Sequence, residues 1–142
     1  MRGHEHPDRL GRSRTVLRWL AAVLFVAAGV NHFVRPDLYL KIVPPGLPRP
    51  DVLVAVSGMC EVVGGVGLLI PRLRCLAGWG LIALLVAVFP ANVYMAACPE
   101  CIPGLNVPPW LLWLRLPLQG VFVVWVWFIG VSSGGTSGEP SA

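Results

Sequence analysis

The stretch VLVAVSGMCEVVGGVGLLI, residues 52–70, decides how this chain is read. It holds a single carboxylate, Glu61, near its middle, and is otherwise apolar or small. At ~1.5 Å of rise per residue, a helix of this length matches the ~30 Å hydrocarbon core of a bilayer. A carboxylate at that depth costs roughly 2.5–3.5 kcal/mol on insertion scales, so something must shelter it. The residues one helical turn to either side of Glu61 are Ser57, Gly58, Gly64 and Gly65, all small. A small-residue face lets a second helix approach closely. Glu61 is therefore expected to point into a bundle of helices and away from lipid.

Outward from this stretch, three further apolar runs are each about 20 residues long. They cover residues 15–34, 75–97 and 110–131. Proline marks the connections. Pro36, Pro44, Pro45, Pro48 and Pro50 lie between the first two runs, and Pro99, Pro103, Pro108 and Pro109 between the last two. The middle connection is only Pro71-Arg72-Leu73-Arg74, which predicts a tight antiparallel hairpin. The fold class that follows is all-α, an integral membrane four-helix bundle over residues 14–131. Residues 1–13 are polar and charged and are expected to form a disordered N-terminal tail. Residues 132–142 are rich in Ser and Gly and read as a flexible C-terminal tail. The first run resembles a secretory signal, but it ends in Asn31-His32-Phe33-Val34 with no Ala-x-Ala cleavage pattern. It is read as a retained helix.

Composition agrees. Of 142 residues, 56% are apolar and 13% charged, with mean hydropathy +0.72. Soluble domains carry roughly twice that charged fraction, so too little polar surface exists to cover a water-soluble globule. The net charge of +4 is not spread along a basic, aromatic-interleaved stripe, and no nucleic-acid partner is expected. Arg2, Arg9, Arg12, Arg14 and Arg18 flank the first run, and Arg72 and Arg74 fill the hairpin turn. Arg35, Lys41 and Arg49 lie in the first long loop. Seven against three predicts both termini on the cytoplasmic side.

Polar residues inside the runs form a second pattern. Helix geometry puts Glu61 ~15 Å below the outer end, with Arg115 and Gln119 at ~8 and ~14 Å on a shared i, i+4 face. Asn92 falls in the outer half of the third run, and Asn31 and His32 near the outer end of the first. One buried cluster of His32, Glu61, Asn92, Arg115 and Gln119 is the resulting expectation. Pro90 and Pro117 each free a carbonyl four residues earlier, those of Val86 and Trp113, as acceptors. Two roles stay open for the cluster: a ligand, proton or redox site, or interhelical glue. His32 also fits an interfacial residue. Trp19, Trp110, Trp113 and Tyr39 near helix ends read as interface anchors.

Cys98-Pro99-Glu100-Cys101 follows the third run. Either a redox-cycling pair or a static disulfide fits it. Glu100 is the only further ligand in that loop, so no metal is expected.

The ordered set Asn31-His32-Phe33-x-x-Pro36-x-x-Tyr39, Ser57-Gly58-x-x-Glu61, Pro71-x-x-Arg74, Val88-Phe89-Pro90-Ala91-Asn92 and Arg115-x-Pro117-x-Gln119 resembles the DoxX-like family of four-helix bacterial membrane proteins. The resemblance covers residues 15–131, and Cys98-x-x-Cys101 lies outside its pattern. It implies a multi-pass protein of the bacterial cytoplasmic membrane. Redox and assembly roles recur among such proteins, including a membrane subunit of an archaeal thiosulfate:quinone oxidoreductase and a methylamine dehydrogenase maturation protein. Two functions are thus expected. One is an accessory subunit that binds a quinone-like or thiol-bearing ligand and serves a membrane or periplasmic oxidoreductase. The other is a non-catalytic assembly factor or scaffold, which could act as a homo-oligomer. The residues alone do not decide whether a reaction is catalysed.

Overall fold

The computed structural model describes residues 7–132, with side chains from Gly11 onward. Helix α1 spans Pro7–Val34, α2 Pro36–Leu40, α3 Pro50–Leu69, α4 Arg74–Ala97 and α5 Pro109–Val126. A short 3-10 turn, Pro99–Cys101, follows α4, and a π-helical turn, Trp127–Val131, extends α5. No strand occurs among the described residues. Four of the helical segments are long and apolar enough to cross a membrane: Gly11–Val34, Pro50–Leu69, Arg74–Ala97 and Pro109–Val131.

Proline opens α2, α3 and α5, where its fixed φ suits the first turn and its missing N–H leaves no bond unmade. Ile70 leaves α3 in an extended conformation ahead of Pro71, as the residue before a proline is driven to do. One expectation is corrected. Residues 7–13, assigned to a disordered tail, are helical and belong to α1. Their leucine and arginines are good helix formers, and the preformed helix behind them spares the cost of nucleation. The expected tail residues 1–6 and 133–142 lie outside the described residues.

Each long helix packs chiefly on the one before it: α3 on α1, α4 on α3, α5 on α4. The π turn then returns to touch α4 and α1, closing the bundle at the end that carries the α3–α4 turn. The closest seam is α1 against α3. A Cβ added to Gly29 would lie 2.5 Å from the carbonyl oxygen of Gly58, which only glycine permits. On α3's other side, a Cβ on Gly64 would sit 2.6 Å from Leu81 of α4.

Two apolar cores result. At the turn end, Ala21, Phe25, Leu68, Leu81, Val126 and Ile129 are buried together. At the opposite, loop end, Ile102 of the last long loop packs onto Met95, Ala96 and Leu112, with Ile42 of the first loop against them. Large apolar side chains cover the outside of all four long helices; Leu76 is 73% exposed and Val124 64%. A monomer in water rarely displays so continuous an apolar surface.

Candidate functional site

His32 is buried where α1 meets α3. The glycine seam brings it there: a Cβ on Gly58 would lie 2.7 Å from the His32 Cβ, so the imidazole starts directly against α3. Its Nδ1 lies 3.0 Å from the carbonyl oxygen of Val54. A carbonyl can only accept, so Nδ1 carries a hydrogen and donates it. The other ring nitrogen, Nε2, faces Oε2 of Glu61 at 3.5 Å. That separation is ion-pair range, and Glu61 Oε2 is buried with no formed hydrogen bond.

The donor arithmetic now constrains the pair. With Nδ1–H committed to Val54, a neutral His32 offers only a lone pair at Nε2, and an ionised Glu61 offers only lone pairs in return. Two acceptors would then face each other at 3.5 Å. One proton must accompany the pair, either on Nε2 or on the carboxyl. The site is built to hold one exchangeable proton between an imidazole and a carboxylate.

Two further residues complete this site. Pro36 starts α2, which turns back so that the Tyr39 ring lies over His32 with centroids 3.7 Å apart. Asn31 donates Nδ2–H to the Tyr39 hydroxyl at 2.9 Å. The phenol keeps its own O–H to donate. Tyr39, read from sequence as an interface anchor, is thus a wall of the polar site. The spacing Asn31-His32-x-x-x-Pro36-x-x-Tyr39 places a short proline-opened helix directly after α1, but its direction across the end of α1 is set by packing.

The other expected members are arranged differently. Asn92 of α4 donates Nδ2–H to Oε1 of Gln119 on α5 at 2.8 Å, and both are buried. Gln119 Nε2 in turn donates to the carbonyl of Leu85. The accepting carbonyl is one residue before the expected Val86, within the turn that Pro90 opens in α4. Arg115 is exposed on α5 and lies within electrostatic range of Glu61 without forming an ion pair to it. The single cluster expected from sequence is therefore two bonded groups: Asn31, His32, Tyr39 and Glu61 across α1, α2 and α3, and Asn92 with Gln119 across α4 and α5.

The second group is a closed chain of donors and acceptors. Gln119→Ala would leave the buried Asn92 amide without its acceptor. A loss of roughly 1–3 kcal/mol is expected. Urea titration of the detergent-solubilised protein checks it, and Gln119→Glu should be no better, because a carboxylate cannot donate to Leu85.

At the loop end, Cys98 and Cys101 are joined by a disulfide with their Cα atoms 5.3 Å apart. The bond ties off α4 immediately before Ile102, the residue that caps the loop-end core. Glu100 lies close to both sulfurs, but sulfurs joined to each other are not thiolate ligands for a metal. Cys60 and Cys75 are free.

Residues 20–130 match the family described as Domain of unknown function (DUF8561), and the chain belongs to that family. No curated protein and no solved structure matches it.

Proposed function

We propose that this member of the DUF8561 family is a multi-pass protein of the bacterial cytoplasmic membrane, with both termini cytoplasmic. It supports membrane-associated redox chemistry by holding a quinone-like ligand beside His32 and Glu61. One observation carries the reading: with the Nδ1 hydrogen of His32 given to Val54, one proton lies between Nε2 and the Glu61 carboxylate, and passing it to a ligand oxygen leaves two facing acceptors that draw in a replacement proton. A quinone takes up protons as it takes up electrons. A partner oxidoreductase at the membrane or in the periplasm would supply the electrons, and the pair would supply a proton to the quinone oxygen. Tyr39, hydrogen-bonded by Asn31, would donate its O–H to the same ligand. The resemblance of the ordered polar and proline motifs to DoxX-like proteins supports this reading.

The Asn92–Gln119–Leu85 chain favours a second reading, a non-catalytic assembly factor. Its bonds run between the two helices and hold α4 to α5. Redox cycling of Cys98 and Cys101 is a separate proposal, checked by thiol labelling in intact cells under reducing and oxidising challenge.

Equilibrium titration of the purified protein with a short-chain ubiquinone separates the two functions. The accessory-subunit reading expects saturable binding, weakened about tenfold or more in Glu61→Gln. The variant should melt as the parent does, because the amide N–H of glutamine can donate to His32 Nε2 and so imitates a protonated Glu61. Absence of saturable binding, or unchanged affinity in the variant, leaves the assembly role standing.

A further inference from the structure

The first and last long helices scarcely touch. Helix α3 packs on α1 and on α4, and α5 packs on α4, but α1 meets the C-terminal part of the chain chiefly through the π turn. Toward the loop end α1 and α5 part, and the bundle is open on that side. Near where they part, Phe25 of α1 meets Phe122 of α5 edge to face, with ring centres 6.4 Å apart.

Helical spacing fixes what lies beyond that contact. Residues seven apart share a helix face and stand ~10 Å apart along the axis. His32 follows Phe25 by seven on α1, and Arg115 precedes Phe122 by seven on the antiparallel α5. Both therefore lie the same step nearer the loop end, on the faces that carry the two rings. Pro117 intervenes on α5, but Arg115 is within electrostatic range of Glu61, which keeps it on the side of α1 and α3. Glu61 stands between the two: its Oε2 is 3.5 Å from His32 Nε2. It keeps 17% of its side-chain surface exposed, as a bundle open beside it allows. The result is a slot with the phenylalanine pair as floor, Glu61 at the back, His32 with Tyr39 on one wall and Arg115 on the other.

The two walls carry donors. Tyr39 has its O–H, and His32 and Glu61 share a proton. A guanidinium has five N–H donors and no acceptor, and that of Arg115 makes no hydrogen bond among the described residues. A flat ligand with an oxygen acceptor at each end matches two donor walls that face each other. The rim is apolar. Gly29 turns one flank of α1 to α3, and Gln119 turns one flank of α5 to α4. Ala28 and Leu118, on the opposite flanks, border the opening, where Leu118 is 46% exposed and Leu24 50%.

We propose that the slot takes a lipid-soluble, tailed quinone sideways from the bilayer between α1 and α5, with one carbonyl at His32 and Tyr39 and the other held by Arg115. The tail leaves past Leu24 and Leu118. This inference rests on the quinone reading above, and adds to it the anchor for the second oxygen and the route of entry.

Titration of the full chain in lipid nanodiscs with a short-chain ubiquinone tests it. Arg115→Met should weaken binding about tenfold or more, because a hydrogen bond from a charged donor is lost. Arg115→Lys keeps a cationic donor and should lose less. Both variants should melt as the parent does. Leu118→Trp narrows the opening without removing a polar group, and should slow association severalfold. Parent affinity in Arg115→Met overturns the anchor, and so does a melting temperature lowered alike in the methionine and lysine variants, which marks the residue as structural. Unchanged association in Leu118→Trp overturns the route. In each of these cases, binding that still depends on Glu61 leaves the quinone site standing. A parent chain that binds no quinone defeats that reading itself, and this inference with it.

Discussion

Gly58→Leu should destroy the packing of α1 on α3 and leave a protein that does not survive extraction as a single species. A Cβ at this position would meet the His32 Cβ at 2.7 Å, the Gly29 carbonyl oxygen at 2.9 Å and Phe33 at 3.0 Å. Two of those three obstacles cannot rotate away, because one is backbone and the other is the root of a buried side chain. The helices must separate, and separation removes the contacts that keep His32 opposite Glu61. Overpacking a well-packed core costs about 1–3 kcal/mol, and here the obstruction includes main chain, so ~3 kcal/mol or more is expected. Gly80→Leu provides the control. A Cβ on Gly80 meets nothing within 4 Å. Leucine there should be neutral or stabilising by up to ~1 kcal/mol, through helix propensity. Thermal unfolding in detergent, followed by size-exclusion profile, reads both variants. Equal behaviour of the two would refute the close seam.

His32→Leu carries the next largest effect. It strips Glu61 of the ring nitrogen that faces it and withdraws the donor from the Val54 carbonyl. Removing one member of a buried pair costs about 3–5 kcal/mol, because the remaining charge is stranded. Glu61 retains 17% side-chain exposure, so the lower end, ~3 kcal/mol, is expected here. The double variant His32→Leu with Glu61→Leu should recover most of that loss, since apolar replacements of a buried pair are often neutral. A double-mutant cycle from urea titrations supplies the coupling energy. Strict additivity would mean that the two residues do not interact, and the proton-holding site would go with it.

The helical spans were legible in the sequence because length and hydropathy act along the chain, where sequence is directly informative. Residues 52–70 correspond to Pro50–Leu69 and residues 75–97 to Arg74–Ala97, and the prolines that mark the loops also open α3 and α5. Position along each helix was legible for the same reason. Azimuth was not. Arg115 and Gln119 share a helix face by spacing, yet four residues advance a helix by about 400°, leaving a ~40° offset. On α5, which packs chiefly against α4, that offset and the intervening Pro117 suffice to bury Gln119 and expose Arg115. A single cluster presupposed that all four helices face one axis. Stepwise packing of each helix on its predecessor gives two polar groups instead. Tyr39 escaped notice because nothing in its local sequence separates an anchor at a boundary from a ring folded back over His32.

The stepwise order of packing has a consequence for biogenesis. Chains leave the ribosome N-terminus first, so α1 is already complete when α3 emerges. The glycine-lined face of α3 and the imidazole that greets its carboxylate are then available together as the two helices pack. On the membrane reading proposed above, Glu61 would not enter lipid as a solitary charge, because its partner was synthesised some thirty residues earlier in the same polypeptide.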